Sequence, residues 1–267
     1  MQSLANYLEL KNWFWALIMS QPRIIAMMIT LPIFNQEILP SMLRFSISVC
    51  LGLFLVPILL PSVNQFTATG PLIILILIKE SFLGFVFGYF FAVAFWLFQA
   101  IGFLIDNQRG ASIASTLDPL TGNDSSPLGQ MFLQGFIVFF LVSGGFNLML
   151  EELYDSYRLW PVMTYFPVIN IKSFPLILDQ LDRLVKMGML LALPVLLAMF
   201  LAELGLALIS RFVPQLQVFF IAMPIKCALA FLVLALYVGT LFSYATEYVE
   251  ELKEVIPFLH NQWGPYK

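Results

Sequence analysis

The fold is decided by a long run of uncharged residues, SFLGFVFGYFFAVAFWLFQAIGFLI, at positions 81–105. About 20 consecutive apolar residues are enough for a helix to cross the roughly 30 Å hydrocarbon core of a bilayer. Similar stretches occupy residues 125–150, 227–246 and, shorter, 45–61, and two more carry one charge each, 12–36 with Arg23 and 187–209 with Glu203. The pattern predicts an all-α, polytopic membrane-type protein with about six apolar helices arranged as hairpins.

The composition excludes most classes of soluble protein. Of the 267 residues, 60% are apolar and 11% are charged, whereas charged residues make up about 25% of a typical soluble domain. The net charge of -3, without any Lys/Arg cluster, offers no electrostatic footprint for nucleic acid. The single histidine, His260, excludes His-based metal sites and His-paired nucleophiles. We therefore expect neither an enzyme nor a cofactor.

Prolines and small residues modify the predicted helices. Each of four prolines inside the apolar stretches removes a backbone hydrogen bond, so we expect kinked or broken helices. They are Pro22, Pro57, Pro194 and Pro224. Small residues also recur at intervals of four, which puts them on one helical face where another backbone can approach closely. They are Gly84, Gly88 and Ala92.

A polar segment separates two of the long apolar stretches, at residues 106–129. Asp118-Pro119 and Gly122-Asn123 are turn sequences, and Ser126 followed by Pro127 is typical of a helix N-cap and first helical position. Asp106 and Arg109 are close enough in sequence to pair. On the residues alone, a solvated loop between helices remains an equally good interpretation.

A second polar segment, residues 210–217, joins two apolar stretches as an αα-hairpin. So short a connection makes the flanking helices antiparallel, which brings Glu203, Arg211 and Lys226 toward one end of the hairpin. Charges inside apolar segments are tolerated mainly when they are paired. Both a structural ion pair and a role in conduction or gating remain open.

Two groups of residues recur in the order and spacing of a known family. The first group comprises IDNQRGAS at 105–112, Asp118-Pro119, Gly122, Ser125-Ser126 and Gly129, and the second comprises Arg211, PQLQ at 214–217 and MPIK at 223–226. Together they resemble the SpaR/YscT/HrcT/FliR family of export-apparatus proteins of type III secretion systems and the bacterial flagellum. The resemblance covers nearly the whole chain. The Asp-x-Gln-Arg-Gly motif favours the injectisome branch, associated with virulence, over the flagellar branch.

The resemblance implies a core channel subunit of an export gate in the bacterial inner membrane, within the secretion-system basal body. Its helices would pack largely on sister proteins rather than on lipid. The polar segment would act as a pore plug through Arg109, Gly110, Ala111, Ser112, Ser115, Asp118, Pro119 and Gly122. Subunit packing would involve Gly84, Gly88, Glu203, Arg211, Pro214, Gln215, Gln217, Pro224 and Lys226.

The resemblance also implies partners. These are two smaller export-gate subunits in multiple copies, an autoproteolytic switch protein, the export-gate ring protein, secreted polypeptides in transit and membrane lipid. The residues alone favour a solvated helix end for an acidic face near the C-terminus, whereas the resemblance implies that this face docks to the basic switch protein. That face consists of Glu247, Glu250, Glu251 and Glu254.

We interpret the chain as one export-apparatus domain with five segments. They are N-terminal helices (1–104), the polar plug-like loop (105–129), a central helix and hydrophilic segment (130–186), a C-terminal helical hairpin (187–246) and a cytoplasmic tail (247–267). The alternative function is an ion- or proton-coupled secondary transporter that uses charged residues at broken helices. Those residues would be Arg23, Lys79, Glu80, Glu203 and Lys226.

Overall fold

The structure, a computed structural model, describes residues 2–35, 38–64, 70–110, 126–164, 174–212, 218–254 and 257. These residues form seven α-helices and none of them lies in a strand. The helices are α1 (Gln2–Thr30), α2 (Ser41–Asn64), α3 (Gly70–Arg109), α4 (Pro127–Val142), α5 (Gly145–Leu159), α6 (Phe174–Phe212) and α7 (Val218–Glu251). Short 3-10 helices follow α1 and α7 at Pro32–Phe34 and Leu252–Glu254. The all-α fold class is confirmed.

The helix boundaries follow local sequence signals. Ser126 is the N-cap of α4, and its Oγ accepts a hydrogen bond from the Gly129 amide at 2.9 Å, with Pro127 as the first helical residue. This confirms the predicted cap. The apolar stretch 125–150, by contrast, is two helices, because Gly144 between α4 and α5 has a φ of 84°, a left-handed conformation that only glycine adopts readily.

Four of the described helices are long and apolar enough to cross a membrane. They are Ser41–Asn64, Gly70–Arg109, Leu178–Phe212 and Ile221–Glu251, and the interrupted α4–α5 pair makes a fifth if it crosses as one span. Helix α1, predicted as a span, is not among them, because Lys11, Asn12, Gln21 and Arg23 interrupt its apolar residues.

The longest helices exceed what a bilayer requires. With 40, 39 and 34 residues, α3, α6 and α7 measure about 60, 58 and 51 Å at 1.5 Å per residue, against a hydrocarbon core of roughly 30 Å. Much of each long helix must therefore lie outside the hydrocarbon or tilt within it.

The four prolines predicted within apolar stretches all lie inside helices. They are Pro22 in α1, Pro57 in α2, Pro194 in α6 and Pro224 in α7.

The described residues divide into two compact units, neither of which is continuous in sequence. The first draws on Met1–Ala92, Gly144–Ile177 and Glu251–Lys267, and the second on Val93–Ser143 and Leu178–Glu250. One boundary falls inside α3, so the units do not follow the segments predicted from the sequence.

In the first unit, α3 approaches α1 closely through its small residues. A Cβ atom added to Gly84 would overlap the Arg23 carbonyl, and one added to Gly88 would lie 2.8 Å from the Cβ of Thr30. The close backbone approach expected for this face is therefore made inside the chain, with α1 as the neighbour. Gly84 and Gly88, predicted to pack against another subunit, are covered by α1 instead.

A buried ionic cluster joins α1, α3 and α5 in the same unit. The guanidinium of Arg23 donates to both carboxylate oxygens of Glu80, at 2.8 and 3.0 Å, and neither side chain is exposed. Arg23 also donates to Ser156 Oγ and to the Trp160 carbonyl, each at 3.0 Å, and it stacks on the Tyr157 ring with 4.0 Å to the centroid. This bidentate geometry is the strong form of the Arg–carboxylate pair.

Lys79 completes the cluster from the neighbouring position on α3. Its ammonium lies 2.7 Å from a Glu80 oxygen and donates to three backbone carbonyls, those of Pro161, Val162 and Thr164, at 2.9 to 3.1 Å. These carbonyls follow the end of α5, and that of Pro161 also accepts hydrogen bonds from the amide and hydroxyl of Thr164. Lys79 thus attaches the chain after α5 to α3.

The second unit has an aromatic core between α3 and α4. Phe98 stacks on Phe136 with centroids 4.4 Å apart, and Phe95 meets Phe136 and Phe140 edge-on at 5.0 and 5.1 Å. Offset and edge-on contacts of this kind add to the free energy gained by burial. This core aligns the C-terminal half of α3 with α4.

Helices α6 and α7 leave most of their apolar surface uncovered. We call the 18-residue apolar stretch by which each helix qualifies as a span its apolar window. Only 17% of this window in α6 and 22% of it in α7 are buried within the chain. On α6 the exposed large apolar residues are Leu178, Leu181, Val185, Met189, Leu190, Leu193, Leu197, Phe200, Leu201, Leu204, Leu208, Ile209 and Phe212. So extensive an apolar surface requires a partner other than water.

We predict that Glu80→Met destabilises the chain by roughly 3–5 kcal/mol, because it leaves the Arg23 guanidinium buried without its carboxylate. Adding Arg23→Met should recover part of this loss, since Lys79 keeps its three carbonyls. Unfolding of the purified chain in detergent measures both effects. Asp155→Asn is the control, because the exposed Arg158–Asp155 pair contributes less than about 1 kcal/mol. Equal stability of the Glu80 and Asp155 variants would contradict the assignment.

We predict that Gly84→Ala lowers the free energy of unfolding by about 1–3 kcal/mol through overpacking against the α1 backbone. Gly205→Ala is the matched control, since an added Cβ there meets nothing within 4 Å and alanine favours the helix. Thermal unfolding of the two variants measures the difference. A Gly84 variant as stable as the Gly205 variant would refute the close approach.

Candidate functional site

Asp106 joins the two helices that flank the polar segment. It lies in the last turn of α3 and is 2% exposed. Its Oδ2 accepts hydrogen bonds from Ser126 Oγ at 2.6 Å and from the Leu128 amide at 2.9 Å. A carboxylate at a helix N-terminus satisfies free amides and interacts favourably with the helix dipole. The end of α3 and the start of α4 are therefore held together at one carboxylate.

Two glycines allow this contact. A Cβ atom added to Gly102 would lie 2.6 Å from the Cα of Gly129, and one added to Gly129 would lie 3.1 Å from the Gln99 carbonyl. Gly102 is one turn before Asp106, on the same helical face. The α3 and α4 backbones are thus close enough for Asp106 to reach the amide of Leu128.

Arg109 extends the contact from α3 to α7. Its Nε lies 2.7 Å from Asp106 Oδ1, which confirms the predicted pairing, although the N–H does not point at that oxygen well enough for a hydrogen bond. Its Nη1 lies 3.6 Å from Cys227 Sγ, and the guanidinium is 5.6 Å from the centroid of the Phe231 ring. We call Asp106, Arg109, Ser126 and the Leu128 amide the loop anchor.

Lys226 attaches the hairpin of α6 and α7 to the same place. Its Nζ lies 3.0 Å from Glu203 Oε2 and 3.2 Å from the carbonyl of Gln108 in the last turn of α3. A cation at the C-terminus of a helix pairs with carbonyls that have no partner in the helix. Lys226 is 9% exposed, whereas about half of the Glu203 side chain is exposed. Arg211, expected beside them, is exposed at the end of α6.

The remaining predicted site residues are distributed as follows. Gly110 ends α3 with a φ of 86°, and Pro224 lies inside α7. Of the predicted plug, Ala111, Ser112, Ser115, Asp118, Pro119 and Gly122 lie outside the described residues, as do Pro214, Gln215 and Gln217 of the predicted packing set.

The chemistry of the site is that of a joint between helices. Its two carboxylates, Asp106 and Glu203, each contact one cation, Arg109 and Lys226, so charge is compensated where it is buried. In the described part of the chain, no group of three His, Cys, Asp or Glu side chains is placed to hold a metal ion. The five charges considered for ion coupling are likewise paired with one another, in the Arg23–Glu80–Lys79 cluster and the Glu203–Lys226 pair.

Sequence reasoning missed several residues of these sites. Gly102, Ser156 and Tyr157 gave no signal beyond their place on an apolar or amphipathic helix. The signal for Asp106 was partial, because its spacing to Arg109 predicts a pair within α3 but not the contact with α4, more than 20 residues away.

Comparisons with known proteins identify the family. A family profile described as bacterial export proteins, family 1, matches residues 14–252. The chain is 38% identical over 231 residues to Yop proteins translocation protein T of Yersinia pestis. The aligned region covers 85% of this chain and 87% of that protein.

Two further relatives carry other names. Surface presentation of antigens protein SpaR of Salmonella typhimurium is 30% identical over 233 residues, 87% of this chain and 86% of that protein. Flagellar biosynthetic protein FliR of Bacillus subtilis is 28% identical over 223 residues, 82% of this chain and 85% of that protein. The resemblance found in the sequence is confirmed, and the chain belongs to the SpaR/YscT/FliR family of type III secretion export proteins.

Proposed function

We propose that the chain is a core channel subunit of a type III secretion export gate, through which unfolded proteins enter the pathway across the bacterial inner membrane. Family membership supports a place in the export apparatus. The chain would contribute structure and a conduit, and the energy for transport would come from other components.

The observation that carries this proposal is the uncovered apolar surface of α6 and α7. A helix of about 58 Å with only 17% of its apolar window buried is too long for lipid to cover along its whole length. Sister subunits would cover the remainder. The two smaller export-gate subunits, in multiple copies, fit this requirement as partners, since hairpins of similar length could pack beside α6 and α7.

The contacts of the loop anchor support the proposal that the polar segment plugs the pore. Asp106 holds together the end of α3 and the start of α4, so the two described ends between which residues 111–125 run lie close together. Most of them are small or polar, with a glycine and five serines or threonines among them, which lets the segment leave the pore without pulling out a large apolar anchor. The anchor would keep this loop at the pore axis at rest, and passing polypeptide would displace it.

The other partners follow from the same assembly. The export-gate ring protein would deliver secreted polypeptides, and lipid would surround the part of the complex within the inner membrane. The acidic residues near the end of α7 would dock to the autoproteolytic switch protein; Glu247 and Glu250 are exposed there. The ion-coupled transporter gains no support from the described contacts, because its five charged residues pair with one another.

We predict that Asp106→Asn leaves the complex assembled but makes the resting gate leaky to ions and small dyes. Loss of the charge weakens the bonds to Ser126 and Leu128, and hydrogen bonds to charged groups contribute about 1.5–3 kcal/mol. Dye uptake by cells that express the complete apparatus measures the leak. Deleting residues 110–122 should raise it further.

Asp155→Asn is the control for this measurement, since Asp155 is a half-exposed carboxylate paired with Arg158 in the first unit. The plug would be ruled out if the Asp106 variant and the deletion both showed wild-type permeability while the complex was present in normal amount.

We predict that reversing the charge of Glu247, Glu250, Glu251 and Glu254 to Lys reduces co-purification of the switch protein, because like charges would then face each other. Asp179→Lys with Asp182→Lys is the control, since both are exposed carboxylates on α6. Undiminished co-purification of the switch protein with the fourfold variant would rule out docking at this face.

A further inference from the structure

A cavity of about 230 Å³ opens between α1 and the start of α2, within the first unit. Its lining is apolar except for one cation and two hydroxyl groups. The residues are Ile25, Met28, Ile29, Ser41, Arg44, Phe45 and Ser48. It is smaller than the roughly 300–1,000 Å³ of pockets that enclose a drug-sized ligand, so it fits a small polar group rather than a whole organic molecule.

Arg44 is the notable member of this lining. The largely buried cations of the ionic cluster and of the candidate site each lie against a carboxylate. In the described part of the chain, by contrast, no carboxylate lies within ion-pair distance of the Arg44 guanidinium. Its side chain is partly buried, so its charge is partly removed from water without a compensating carboxylate among the described residues. An anion in the cavity would supply that compensation.

The depth of the cavity along α2 indicates which anion. Arg44 lies in the first turn of α2, and Ser41–Asn64 is one of the helices apolar enough to cross a membrane. Lipid phosphates lie at the ends of such helices, and basic pockets between transmembrane helices bind anionic headgroups. In a bilayer crossed by α2, Arg44 would therefore lie at the level of the headgroup phosphates.

Apolar side chains continue from the cavity onto the surface. Ile29 is 68% exposed and Phe45 is 61% exposed, and both also line the cavity. Met42, which lies within one turn of Phe45 on α2, is 81% exposed. A ligand with a phosphate at Arg44 and a hydrocarbon chain over these residues would match both parts of the surface.

We infer that this cavity binds the phosphate of an anionic phospholipid, with the Arg44 guanidinium and the Ser41 hydroxyl as its polar contacts. The acyl chains lie over Ile29 and Phe45. A carboxylate of a neighbouring protein would satisfy Arg44 equally well, but it would leave the adjoining apolar side chains without a matching hydrocarbon. The site is independent of the proposed channel role, because it lies in the first unit and involves none of the plug residues.

Native mass spectrometry of the full chain in mild detergent, titrated with phosphatidylglycerol, tests the site. We expect one tightly bound lipid, and about fivefold weaker binding to Arg44→Gln, as for the loss of one basic residue near anionic lipid. Arg44→Lys should bind with intermediate affinity. Arg158→Gln is the matched control, since it removes an exposed arginine of the same unit and should bind like the wild type.

A second variant, which retains Arg44, tests the proposal even if the Arg44 variants misfold. Ile29→Glu retains Arg44 but places a carboxylate at the rim of the cavity. It should weaken binding of phosphatidylglycerol by more than it weakens binding of uncharged diacylglycerol, because only the phosphate is repelled by the new charge. Inorganic phosphate separates the two sources of the anion: the proposal requires that millimolar phosphate fails to displace the lipid, and full displacement would overturn it.

Two other outcomes would also overturn the proposal. One is wild-type affinity for phosphatidylglycerol in both Arg44→Gln and Ile29→Glu. The other is loss of co-purifying export subunits from Arg44→Gln with unchanged lipid binding, which would assign Arg44 to a protein contact.

Discussion

The structure depends on one constraint: the apolar faces of its long helices must be covered by something other than water. Charged residues make up 11% of the chain, and α6 and α7 bury only a small share of their apolar windows internally. Lipid can cover about 30 Å of such a helix, which is roughly half the length of α3 or α6. We propose that sister subunits cover the rest, and membership of a family of export-apparatus proteins supports such an assembly.

Within this apolar scaffold, charged residues act as joints between helices. The Arg23–Glu80–Lys79 cluster connects α1, α3 and the end of α5, and it satisfies three carbonyls beyond a helix terminus. The loop anchor and the Glu203–Lys226 pair do the same for α3, α4 and the α6–α7 hairpin. Each joint combines opposite charges with backbone groups, which is the arrangement that makes buried charge tolerable. Paired charges therefore lie where the helices of each unit meet.

The sequence predicted the helices, the prolines within them, the Ser126 cap and the Asp106–Arg109 pair, because each of these depends on neighbours within a few residues. It did not predict that Gly144 divides the stretch 125–150, because the apolar residues on both sides favour one continuous span, although Ser143-Gly144-Gly145 is a turn sequence. It also predicted a contact with another subunit for Gly84, whereas the structure places α1 against this residue. The spacing shows that one face of the helix carries small residues, but it does not show which element packs on that face. The contacts of Lys79 with the carbonyls after Pro161 join residues more than 80 positions apart, and no local pattern encodes them. The predicted plug lies mostly outside the described residues and stays a prediction.

The account is tested most directly by counting the subunits that cover the apolar faces. The export proteins would be co-expressed, solubilised in mild detergent and weighed intact by native mass spectrometry. The account predicts one copy of this chain with several copies of each of the two smaller export subunits, in a complex that survives removal of bulk lipid. A chain that is stable and monodisperse as a monomer, with its α6 and α7 faces in contact with lipid or detergent alone, would contradict it.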